Sequence, residues 1–94
     1  MDDREQAVRD LLREAGKLHH AVWRIADGDD PDWASWYADW LINLSELPKV
    51  LGNAPVRSEL VYHLVRLGKE YAEKSPGEPW EDYYARELVA KLGA

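Results

Sequence analysis

The stretch from Asp30 to Leu41, Asp-Pro-Asp-Trp-Ala-Ser-Trp-Tyr-Ala-Asp-Trp-Leu, constrains the fold of this chain more than any other. It holds three of the five tryptophans and one of the five tyrosines. Asp30 reads as a helix N-cap, Pro31 as the first helical residue, and Asp32 as a first-turn acid facing the positive end of the helix dipole. Beyond them Trp33, Trp36, Tyr37, Trp40, Leu41, Leu44 and Leu47 recur at three- and four-residue steps, which is helical spacing. A helix from about Pro31 to Leu47 is therefore expected. Its polar residues, Asp32, Ser35, Asp39, Asn43 and Glu46, form one narrow stripe, and Ile42 falls nearly opposite Trp33 and Trp40. One neighbouring helix does not cover so wide an apolar arc, so this helix is either central in a bundle or faces a second partner.

The other segments are read around it. Asp3 with Gln6 resembles a capping box, and Val8, Leu11, Leu12, Ala15, Leu18, His19, Val22, Ile25 and Ala26 define the core face of a first helix. Arg9, Arg13, Lys17, His20 and Arg24 fall on or near its opposite side. Gly28 reads as its C-cap, and the short turn Asp27 to Asp30 returns the second helix antiparallel to the first. Pro48 ends the second helix, and Lys49 to Gly52 make an extra turn closed by the glycine. Asn53 then caps a third helix, with Pro55 in its first turn. Val56, Leu60, Val61, Leu64, Val65, Leu67, Gly68, Tyr71 and Ala72 form its buried face. Gly68 costs about 1 kcal/mol relative to alanine in mid-helix. Close approach of another backbone or of a tryptophan ring would account for it. Ser75 to Pro79 break the chain again, and Trp80, Tyr83, Tyr84, Ala85, Leu88, Val89 and Leu92 make a fourth helix ending at Gly93.

No strand signal appears. The expectation is a single all-α domain over residues 1–94, a four-helix bundle of two antiparallel helical hairpins. A weak internal repeat accompanies it. Pro31-Asp32-Trp33-x-x-Trp36-Tyr37-Ala38-x-x-Leu41-Ile42 matches Pro79-Trp80-x-x-Tyr83-Tyr84-Ala85-x-x-Leu88-Val89, with one residue deleted after the proline. A duplicated hairpin is one reading, and chance likeness of two proline-capped aromatic helices is the other.

Composition narrows the function. A 94-residue domain buries only about 60–65% of its unfolded surface, so large aromatic side chains or a partner must supply area. Phenylalanine is absent, and every aromatic carries a polar atom that needs a partner when buried. The net charge of −6 argues against general nucleic-acid binding and against electrostatic docking on an anionic membrane. With no cysteine there is no disulfide framework and no thiolate metal site. Met1 to Glu5 lack the pattern of a signal peptide, and no run of about 18 apolar residues exists, so a soluble, cytoplasmic, bacterial-type domain is expected.

The signature Asp30-x-Asp32-Trp33-x-x-Trp36-Tyr37-Ala38-x-x-Leu41 resembles one found in small bacterial helical proteins of unknown function. In those a histidine-bearing helix, here with His19 and His20, precedes an acidic turn and a Trp-Tyr-Ala helix. The resemblance covers roughly residues 15 to 42, and it implies no activity.

Three candidate sites follow. His19 lies at the edge of the first core face with Trp23 one turn later; His63 is marginal on the third helix, and His20 faces solvent. No Glu-x-x-His pairing supports a metal, so structural histidines are expected. Asp27, Asp29, Asp30 and Asp32 could hold a hard cation, but the EF-hand spacing fails and capping explains Asp30 and Asp32. No cofactor or metal is expected. Trp33, Trp36, Tyr37 and Trp40 read first as core, then as a protein interface, then as a ligand pocket. Nucleophilic and phosphate-binding motifs are absent, and Ser35, Ser45, Ser58 and Ser75 occupy helix or capping positions. The leading expectation is a non-enzymatic interaction module that self-associates as a homodimer through the aromatic helix, with His19, Trp23, Trp33, Trp36, Tyr37, Trp40 and Ile42 as the ligand or interface candidates. The alternative is a small-molecule binding protein or small enzyme with an aromatic pocket near His19.

Overall fold

The computed structural model describes the backbone of residues 1–25 and 32–94, and the side chains of residues 1–21 and 32–94. The chain forms α1 (Asp3–Ile25), α2 (Trp33–Asn43), α3 (Leu47–Leu51), α4 (Arg57–Lys74) and α5 (Trp80–Leu92), with no strand among the described residues. The expected caps at Asp30, Pro31 and Gly28, and the acids Asp27 and Asp29, lie outside the described residues, as does the Trp23 side chain.

Helix α1 starts with a capping box one residue earlier than expected. The Glu5 amide donates to Asp2 Oδ1 at 2.8 Å and the Asp2 amide donates to Glu5 Oε1 at 2.9 Å. A carboxylate at each end suits the positive helix terminus better than Gln6, whose side chain donates to the Met1 carbonyl instead. Val8, Leu12 and Ala15 are fully buried. Leu18 lies roughly a quarter-turn off that line at 100° per residue, and it is 42% exposed rather than core. The sequence pattern puts Arg9 and Arg13 on or near the side opposite the core face. Instead they reach α5, with Arg9 Nε 3.8 Å from Asp82 and Arg13 Nε 3.7 Å from Glu81, because α5 flanks that side of α1.

Helix α2 stops at Asn43, short of the expected Leu47. Asp32 sits at the N-cap position rather than in the first turn, and its carbonyl accepts from the Ser35 and Trp36 amides. Ser45 causes the early stop: its hydroxyl donates to the Leu41 carbonyl at 2.6 Å and accepts from the Leu47 amide at 3.1 Å. Pro48 therefore opens α3 instead of ending α2, in the first turn where its missing N–H costs nothing. Gly52, at φ 85°, closes α3 as expected.

Helix α4 begins at Arg57, later than the Asn53 cap implied. Val56 is extended at the N-cap and 58% exposed, while the Asn53 side chain donates to the Leu92 carbonyl. Leu60, Leu64 and Leu67 are buried, whereas Val65 is 40% exposed and Ala72 is exposed, so the buried stripe is narrower than the apolar pattern suggested. The turn before α5 is held by a hydrogen bond from Tyr71 Oη to the Glu78 carbonyl and by an ion pair of Glu78 with Arg86 of α5. In that helix Tyr83, Tyr84, Ala85 and Leu88 are buried.

Helix α1 packs most extensively on α5, and also on α2 and α3; α4 packs on α2 and α5. The largest fully buried side chains are leucines and Val8, and no polar residue among those described is buried. Arg4 joins the base of the fold: its guanidinium donates to the carbonyls of Val50, Leu51 and Ala94.

Candidate functional site

Trp33, Trp36, Tyr37, Trp80, Tyr84, Tyr71 and Tyr83, with His19, form one connected set centred on Tyr37, which is 8% exposed. Its ring centroid lies 5.0 Å from His19, 5.9 Å from Trp33, 5.5 Å from Trp36 and 6.1 Å from Trp80. The set continues from Trp80 to Tyr84 at 5.0 Å and from Tyr84 to Tyr71 at 6.4 Å. Most of these pairs are edge-to-face, the arrangement that the ring quadrupole favours. Burial, with Tyr71 close by, raises the Tyr84 phenol above its usual range.

Two glycines carry this set. A Cβ on Gly16 of α1 would meet Trp80 Cζ2 at 3.5 Å and Tyr37 Oη at 3.7 Å. A Cβ on Gly68 of α4 would meet Trp33 Cζ2 at 3.4 Å and Tyr84 Oη at 3.3 Å. Each glycine thus meets the tyrosine of the next long helix and the tryptophan of the other helix pair. The tryptophan ring expected over Gly68 is Trp33. The positions matched in the sequence repeat share burial as well: Tyr37 and Tyr84, Ala38 and Ala85, and Leu41 and Leu88 are all buried.

The candidate residues separate onto two surfaces. Around Gly16 a groove of about 530 Å³ opens between α1, α2 and α5, lined by Arg13, Lys17, His19, His20, Tyr37, Trp80 and Glu81. On the outer side of α2, Trp36, Asp39, Trp40, Asn43 and Leu44 line a smaller hollow of about 330 Å³. Leu44 there is 74% exposed. Beside it the Arg57 guanidinium donates to Asp39, which holds that carboxyl below its usual value. Ile42 lies on neither surface; it is half-buried against the core beyond the fully buried Ala38.

Sequence reasoning did not place Gly16, Trp80 and Glu81 beside His19, since they meet only through packing of α5 on α1. A mid-helix glycine at position 16 was the signal available, of the same kind as Gly68. Among the described residues no three His, Asp or Glu side chains are grouped as for a metal ion, and no helix is long and apolar enough to cross a membrane. No protein-family model matches the chain, and no curated protein or solved structure shows significant similarity to it.

Proposed function

We propose that the chain is a duplicated helical hairpin that works as a protein-association module, pairing with a second copy through the outer face of α2. The reciprocal Gly16–Trp80 and Gly68–Trp33 contacts support the duplication, with α1–α2 and α4–α5 as the two halves of a four-helix bundle and α3 as the connection. On this reading the aromatic excess of α2 is partly met inside the chain, where Trp33 packs against the other half.

The observation that carries the association is the difference between the outer faces of the two matched helices. Trp36 and Trp40 of α2 and its C-cap residue Leu44 follow one another at four-residue steps. In α5 the matched positions hold Tyr83, Glu87 and Lys91, and Glu87 and Lys91 form an i,i+4 ion pair suited to water. Tyr83 is buried, so the contrast lies at the other two positions, where Trp40 and Leu44 stand against an ion pair, and that apolar end suits a surface covered in use. Two such surfaces meet across a twofold axis, with the Asp39–Arg57 pairs at the polar rim.

Light scattering at micromolar concentration tests this. The expected result is twice the monomer mass for the parent chain, and the monomer mass for Leu44→Asp with unchanged helical circular dichroism. A monomeric parent chain would remove the reading.

A further inference from the structure

We infer that the groove over Gly16 binds a small organic anion with a flat ring, the ring against Trp80 and Tyr37 and the anionic group between Arg13 and Lys17. This goes beyond pairing through α2, and the two surfaces share no lining residue.

The two glycine sites differ in a way that packing does not require. Counted from each glycine, Arg13 and His20 of α1 correspond to Val65 and Ala72 of α4. Gly68 is closed over, with a Cβ there held to 3.3–3.4 Å from Tyr84 and Trp33. Gly16 is looser, at 3.5–3.7 Å, which is ordinary van der Waals contact, so an alanine would fit and would favour the helix. The core therefore does not demand a glycine at position 16, which lines the groove. A groove of about 530 Å³ is within the usual size for a small-molecule site.

Its charge sets the ligand class. In a chain of net charge −6, this groove presents the permanent cations Arg13 and Lys17 against one carboxylate among the described lining residues, Glu81. Arg13 stands 3.7 Å from Glu81, beyond good hydrogen-bond distance, and Lys17 has no ion-pair partner among the described residues. A guanidinium fork and an ammonium one turn apart on a helix suit a carboxylate or a phosphate. The half-buried Trp80, in edge contact with the buried Tyr37, offers apolar wall for a ring.

Amide NMR and calorimetric titration with naphthoate, naphthyl phosphate and the neutral naphthamide test the inference. At least one anion is expected to shift the Gly16 and Lys17 amides and the Trp80 indole N–H. The tighter of the two anions distinguishes a carboxylate from a phosphate ligand. Naphthamide is expected to bind about tenfold more weakly or worse, the scale of a lost charge-assisted hydrogen bond. Arg13→Gln with Lys17→Gln should weaken the anion by at least about the same factor, as should Gly16→Leu, which fills the groove and leaves the charges. Lys91→Gln, outside the groove, should change nothing; well-dispersed amide spectra verify that each variant is folded. No shift at millimolar anion, equal binding of naphthamide, or equal weakening by Lys91→Gln would each overturn it.

Discussion

Trp33 closes over Gly68, its ring atom Cζ2 lying 3.4 Å from where a Cβ on that glycine would stand. The contact links α2 to α4, and the buried Tyr84 hydroxyl shares it at 3.3 Å. Trp80 stands over Gly16 in the same role with slightly more room. That small difference in distance gives the two glycines opposite responses to the same substitution.

Gly16→Ala is expected to stabilise the fold by about 0.5–1 kcal/mol, the helix-propensity gain with no clash to offset it. Gly68→Ala should lose about 1 kcal/mol net, since the Trp33 ring and Tyr84 hydroxyl must retreat in a packed site. Denaturant midpoints of the two variants check this; a gain at both positions would show that Trp33 is free to move.

Arg4→Ala should cost about 2 kcal/mol, since it removes charge-assisted hydrogen bonds to the Val50 and Leu51 carbonyls, which the structure holds partly buried. Arg4→Lys should recover only part, because an ammonium does not reproduce the planar fork. Urea unfolding of both variants measures the difference, and equal stability of Arg4→Lys and the parent chain would contradict the role of the fork.

Acid should weaken the ion pairs that tie the segment before α5 to that helix and α2 to α4. The Arg86 guanidinium, hydrogen-bonded to Glu78, holds that carboxyl below its ordinary value of 4.5. A lowered folded value means the contribution is fully present above the unfolded value and is lost as pH falls through the folded one. Asp39 beside Arg57 behaves the same way from 3.8 downward. The melting temperature of the parent chain should therefore fall more steeply below about pH 4.5 than that of a Glu78→Gln, Asp39→Asn variant. Both pairs are exposed to water, so the difference should shrink in high salt. Parallel acid limbs for the two proteins would show that other carboxylates govern the transition.

The helical composition of the fold was legible because its periodicity is local. So were the close of α3 at Gly52 and the break before Trp80, where glycine or proline fixes the backbone. The end of α2 was not, since apolar spacing continues through Leu44 and Leu47 while the Ser45 hydroxyl turns the chain. Asn53 had the right chemistry for a cap, yet its amide is satisfied by the Leu92 carbonyl, a partner far away in sequence. The candidate site was half legible for a related reason. His19, Trp33, Trp36 and Tyr37 are close in sequence or share a helix, and they do meet. Trp80, Gly16 and Glu81 complete the groove through the packing of α5 on α1, which no spacing encodes. The cations Arg13 and Lys17 looked like a solvated face until α5 defined what they face.

The bonds from Arg4 also change how the molecule can come apart. The first turn of a helix ordinarily frays on its own, ahead of any wider opening. Here that turn is tied to the end of α3, and Arg4 Nη1 reaches a carbonyl 90 positions along the chain. The Ala94 amide in turn donates to Leu51, so three separate segments are fastened at one knot. The first turn of α1 therefore opens together with the end of α3 and the Ala94 segment rather than fraying by itself.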